Sequence, residues 1–159
     1  MEATRKQTWV LFCLTKQDYR NKGLTVEEAS ALIQKAVLDG ANKKNEFIAI
    51  WREAVTAGEK AMAACCPTPM IVEQHSNMLN DSSPVEKSWL VEGGVCGFAW
   101  VKIRPATTSF AKWLKKMGYA EQDSYSGGLT IWIGEGGQSY ERKLAYARAM
   151  ASVLRAHNI

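Results

Sequence analysis

The stretch GGLTIWIGEGGQSYERKLAYA (127–147) holds the order of residue types that decides how this chain is built. GGLTIWI (127–133) is a short β-branched and aromatic run bounded by glycines, which predicts a strand. Gly134, Gly136 and Gly137 then turn the chain, and Ser139 stands where a helix N-cap belongs. Tyr140, Leu144, Ala147, Met150, Ala151 and Leu154 recur at helical spacing, so a final helix is predicted to about His157.

Working towards the N-terminus, GVCGFAWVKI (94–103) is apolar on both alternations apart from Lys102. That pattern predicts a strand covered on both faces, with Cys96 packed as a small hydrophobe. Arg104-Pro105 breaks it. Phe110, Trp113, Leu114 and Met117 then line one side of a short helix, with Lys112, Lys115 and Lys116 opposite and Gly118 as its stop. A helix between two strands of one sheet allows a parallel crossover.

The first third is helical in pattern. Residues 4–20 fit a helix, although TWVLFCL (8–14) fits a short buried strand equally well. Thr25 and Glu28 form a capping box ahead of a stripe of Ala29, Leu32, Ile33, Ala36 and Val37, and Gly40 is placed to end that helix. A further helix over about 42–65 carries Phe47, Ile50, Trp51, Ala54, Val55, Ala61, Met62 and Cys65 on one side. Gly58 lies on that side too, where the missing side chain lets a neighbour approach closely. Pro67 and Pro69 end it, and from 67 to about 84 the turn-forming residues of HSNMLNDSSP predict a long loop. The expected fold class is therefore α+β: a helical N-terminal part followed by a strand–helix–strand–helix unit with a small sheet. The expectation is one domain over 1–159, with a helical part (1–66), a loop-rich connection (67–93) and the strand–helix part (94–159).

With 47% hydrophobic and 23% charged residues, the chain has the balance of a globular protein and not of a disordered one. Its longest apolar run is far too short to span a bilayer, so no membrane partner is expected. Glu2 and the broken apolar pattern behind it do not suggest a secretory leader. Cys13, Cys65, Cys66 and Cys96 form neither a paired framework nor a CxxC, which points to a reducing compartment. A net charge of +4 is compatible with a polyanionic partner without requiring one.

Two candidate sites follow. The glycine turn before the last helix exposes backbone N–H groups beside a helix dipole, a natural place for an anion, with Arg142 and Lys143 in the first turn. Glu135 opposes it, and the loop matches no phosphate-binding fingerprint. The second candidate is the set of basic residues near aromatics in the last part: Lys102, Arg104, Lys112, Lys115, Lys116, Arg142, Lys143, Arg148 and Arg155, with Trp100, Trp113, Tyr125 and Trp132. Such a set can neutralise phosphates and stack on bases, or it can be an ordinary solvated surface over a core. Combining the two gives Arg104, Gly136, Gly137, Ser139, Arg142, Lys143 and Arg148 as the expected nucleic-acid or phosphate-binding residues. For catalysis only Cys96 with His75, oriented by Asp81, is arranged at all, and an apolar strand is a poor place for a nucleophile. No catalytic residue, metal ligand or cofactor is expected. Cys65 and Cys66 are adjacent, which suits two ligands of one ion badly.

Three stretches, KQTWVLFCLTKQDYRNKGLTVEEASALI (6–33), GVCGFAWVKIRP (94–105) and the 127–147 segment, resemble small uncharacterised accessory proteins of tailed bacteriophages. The N-terminal part is also similar to short helix–loop–helix elements of the KQ…LT…EAS…I type, here Lys6-Gln7, Leu24-Thr25, Glu28-Ala29-Ser30 and Ile33, some of which accompany DNA-handling proteins. The resemblance implies a viral accessory protein made in the host cell cytoplasm and carries no assigned activity. The expected function is a phage-encoded, non-enzymatic binding protein acting on nucleic acid or a nucleotide-like polyanion. The alternative is one that binds and inhibits a host protein in takeover or anti-defence, and the third reading is a small enzyme.

Overall fold

A computed structural model describes every residue, Met1–Ile159. The element order is α1 (Arg5–Thr15), α2 (Val26–Ala64), β1 (Met70–His75), β2 (Val85–Val91), β3 (Trp100–Ile103), α3 (Ser109–Met117), β4 (Glu121–Gln122), β5 (Leu129–Trp132) and α4 (Tyr140–Ala156). The fold is α+β, with a helical N-terminal part ahead of two small antiparallel sheets. The chain forms two compact units, Met1–Ala49 and Ile50–Ile159, and α2 runs from the first into the second.

In the first unit TWVLFCL is helix. Thr4 and Gln7 close a capping box at the start of α1, and Lys16 in the left-handed region ends it. Gln7 Nε2 reaches Val26 O at 3.1 Å and Ser30 Oγ at 3.0 Å, which ties α1 to the start of α2. Leu11 and Ala29 are fully buried there. The predicted box at the head of α2 forms, with Thr25 N–H donating to Glu28 Oε2 at 2.8 Å and Glu28 N–H to Thr25 Oγ1 at 3.3 Å.

Gly40 does not stop that helix; the two helices predicted over residues 25–65 are one, of 39 residues. A glycine ends a helix by taking a left-handed φ, and Gly40 is not among the glycines that do so. Inside a helix it costs only about 1 kcal/mol against alanine. Gly118, at φ 75°, does end α3 as expected.

In the second unit the predicted loop over residues 67–84 is corrected to a hairpin. β1 and β2 pair antiparallel from Met70↔Val91 to His75↔Val85. The turn-forming residues build the connection instead: Asn77 and Asn80 accept from the N–H groups two residues on, and Ser83 Oγ donates to Asn80 O at 2.8 Å.

The second sheet runs β3–β5–β4, all antiparallel. The parallel crossover is corrected by β4, a two-residue strand after α3 that turns back into β5. β3 is shorter than predicted, and only one of its faces is covered. Val101 and Ile103 are buried with Leu129 and Ile131, while Trp100 and its cross-strand partner Trp132 face outwards. Cys96 lies ahead of β3 and is exposed, its thiol donating to Gln138 Oε1 at 3.2 Å, so it is not a packing residue.

α3 and α4 supply the core. Phe110, Ala111 and Leu114 are buried on α3, and Trp113 is half-buried, its ring centroid 5.6 Å from Phe110. α4 packs against β3 and buries Tyr146, Ala147, Met150 and Leu154. Gly58 has the close neighbour its sequence position predicts: a Cβ there would lie 2.6 Å from the Tyr146 ring. Burial, with Glu135 and Glu59 nearby, pushes the Tyr146 hydroxyl up to about 12.

Candidate functional site

Period-two alternation puts Phe98, Trp100 and Lys102 on one side of the β3 segment, and the register sets Trp132 opposite Trp100. The result is an aromatic cluster on the open face of the sheet. The Trp100 and Trp132 centroids are 5.2 Å apart, and Phe98 meets Trp132 edge-on at 6.5 Å. These rings are 71% (Phe98), 51% (Trp100) and 55% (Trp132) exposed. So much aromatic surface in water is a cost that burial against a partner would remove.

Beside this face, between β3 and α4, runs a groove of about 360 Å³. Val101 and Ile103 line it from the strand; Leu144, Ala147 and Ala151 line it from one stripe of the helix, with Arg148 and Arg155 at its rim. Both arginines are exposed, and neither enters any of the molecule's ion pairs. Lys102 is different. Its ammonium pairs with Asp123 and Ser126 in the β4–β5 connection, so its charge is already compensated. The Lys102 contact and the Ser126 hydrogen bonds hold the Asp123 carboxyl well below the usual carboxylate range.

The structure distributes the expected site residues between two places. Arg148 lines the groove. Arg104 is exposed just past the end of β3, with its guanidinium donating to Ser126 O. Gly136 and Gly137 adopt left-handed φ values of 87° and 62° and form the turn before α4. Ser139 is buried and caps that helix through Arg142 N–H. Arg142 is exposed there, but Lys143 is only 7% exposed. Its ammonium donates to Gly97 O at 3.3 Å and sits 5.2 Å from the Phe98 centroid. Arg142 and Lys143 are thus not a pair at a common site.

The donors of the α4 N-terminus are largely spent. Tyr140 N–H goes to Val95 O at 2.9 Å and Lys143 N–H to Ser139 O at 3.2 Å. Glu141, in the same turn, accepts from Thr68 N–H at 2.8 Å. With Glu135 in the loop, a bound anion would meet acidic side chains and few open donors.

Cys96 and His75 have separate partners, since His75 Nδ1 lies 2.8 Å from Ser83 O in the hairpin connection. No three His, Cys, Asp or Glu side chains are grouped so as to hold a metal ion. Phe98 is the residue sequence reasoning missed. Its signal was the i, i+2 spacing to Trp100, visible only once that segment is read as open on one face. No protein-family model, curated protein or solved structure matches the chain. No helix is long and apolar enough to cross a membrane.

Proposed function

We propose that this chain is a phage-encoded, non-enzymatic binding protein that works inside the infected cell and engages a host protein through the open face of β3 and β5. One observation carries the reading: Phe98, Trp100 and Trp132 form a contiguous aromatic cluster that is half or more exposed. Large aromatics clustered at a surface are the usual anchors of protein interfaces, worth roughly 2 kcal/mol or more each when buried by a partner. The test is capture from nuclease-treated bacterial lysate by the tagged full chain, with the Trp100→Ser/Trp132→Ser double variant alongside. A protein retained by the parent and lost by the variant supports the reading. Identical retention by both sinks it.

Nucleic acid is the second reading, favoured by Arg148 and Arg155, which line the groove together with Trp100, since exposed aromatics beside cations suit single-stranded bases and phosphates. It comes second because Lys143 is buried and Lys102 is compensated, which leaves few cations for a backbone. A partner of this kind would disappear on nuclease treatment and weaken steeply with salt.

A further inference from the structure

β3 is an edge strand, because the sheet order places β5 on one side of it and no strand on the other. Ile133 N–H donates to Ala99 O at 3.1 Å, which makes Ala99 and Ile133 a hydrogen-bonded pair of the antiparallel ladder. Hydrogen-bonded pairs alternate, so Val101 and Ile103 turn their main-chain groups towards β5. Trp100 and Lys102 turn theirs outwards, to the side where the groove lies.

Exposed strand edges are normally blunted, often by a lysine whose charge a docking strand would have to bury. Lys102 does not serve that purpose, because Asp123 holds it on the sheet face. The far wall of the groove is the Leu144, Ala147 and Ala151 stripe of α4, apolar and built of small residues at its centre. An edge with free N–H and C=O groups, facing a helix across an apolar trough, is the geometry in which an extended peptide adds as a further strand. Arg148 and Arg155 then set the chemistry of the occupant, being two cations outside every ion pair, about two helical turns apart on the same wall.

We infer that the groove between β3 and α4 takes an extended acidic segment of the partner protein, which pairs with the outward main chain of Trp100 and Lys102 and sets its carboxylates against Arg148 and Arg155. Alternate side chains of such a strand would point into the trough over Ala147 and Ala151, so small apolar residues should alternate with the acidic ones. This rests on the protein-binding reading above and adds to it the conformation and charge of the bound segment.

The test selects binders to the immobilised full chain from a displayed library of random twelve-residue peptides. The strongest isolates are then made as free labelled peptides, with versions N-methylated at alternate residues in each register, and (dT)12 is run beside them. Affinities are measured for the parent chain, for Arg148→Glu/Arg155→Glu and for Trp132→Ser. Amide exchange is followed at Trp100 and Lys102.

Strand addition predicts isolates in which acidic and small apolar residues alternate. N-methylation in one register should weaken binding at least tenfold and in the other have little effect. The double arginine reversal should cost at least tenfold, and the Trp100 and Lys102 amides should exchange more slowly in the complex. Isolates with no acidic bias, or indifferent to both methylation registers and lost only with Trp132→Ser, overturn strand addition while leaving the open aromatic face as a protein-binding surface. Failure of every peptide, with (dT)12 slowing those amides instead, overturns both and puts nucleic acid in the groove.

Discussion

In the three-stranded sheet alternate residues divide by face: Val101, Ile103, Leu129 and Ile131 are buried, while Trp100 and Trp132 look outwards. In the β1–β2 hairpin the register sets Ile71 opposite Leu90 on one face and Val72 opposite Trp89 on the other, and all four are exposed. Both are antiparallel ladders of good strand-formers, so pairing alone does not separate them. What separates them is the helix, because α4 covers one face of β3 and no comparable layer gives the hairpin a buried face. A two-stranded ribbon has little stability of its own, whereas a face packed on a helix contributes roughly 25 cal/mol for each Å² of apolar surface removed from water. In the second unit, folding free energy is therefore concentrated around α3, α4 and the covered face.

The largest effect expected from this contrast is a leucine truncation placed on either side of it. Leu154→Ala, at 2% exposure, should lower unfolding free energy by about 2–5 kcal/mol in denaturant titration. Leu90→Ala, at 65% exposure in the hairpin, should stay within about 0.5 kcal/mol of the parent. Equal losses would mean that the hairpin is as well packed as the sheet and would break the comparison.

Gly58→Ala should come next, costing about 1–3 kcal/mol, because its Cβ would press on the body of the Tyr146 ring and α2 or α4 would have to shift. The same change at Gly40, where nothing lies within 4 Å of the added Cβ, should stabilise slightly through helix propensity. Ser139→Ala, which removes the cap of α4, should cost about 1 kcal/mol in the same titration.

The smallest effect concerns the tie that holds Lys102 on the sheet face. The Asp123 carboxyl is depressed below its ordinary value near 3.8, so its contribution is complete above about pH 4 and is lost as pH falls further towards its folded value. Asp123→Asn should remove that part of the acid sensitivity and lower stability at pH 7 slightly, by the contribution that the parent loses in acid. An unaltered acid limb in Asp123→Asn would show that the contact with Lys102 carries no linkage.

How far the sequence could be read follows the same division. Where burial is one-sided and periodic, as on α3 with Phe110 and Leu114 against Lys112, Lys115 and Lys116, the element and its facing were legible before the structure. The capping box at Thr25 and Glu28 was legible because its chemistry is local. The hairpin was not, since strands exposed on both faces leave no alternation to find. β3 misled in the opposite direction: its segment read as a strand covered on both faces because apolar content was taken for burial, and Phe98 and Trp100 stand open to solvent. Lys143 shows the limit for charged residues. Its place in the first turn of α4 was evident, but its burial against Gly97 and Phe98 depends on a segment 46 residues earlier in the chain.

On the proposed function, the open face of β3 and β5 is the working surface and the exposed hairpin is not. The most direct measurement compares two double variants, Trp100→Ser/Trp132→Ser and Trp89→Ser/Leu90→Ser, for affinity towards the protein captured by the parent chain. All four side chains are exposed, so both variants should fold as the parent does in circular dichroism. The first variant should lose at least tenfold in affinity and the second no more than twofold. A loss confined to the hairpin variant would contradict the proposed function.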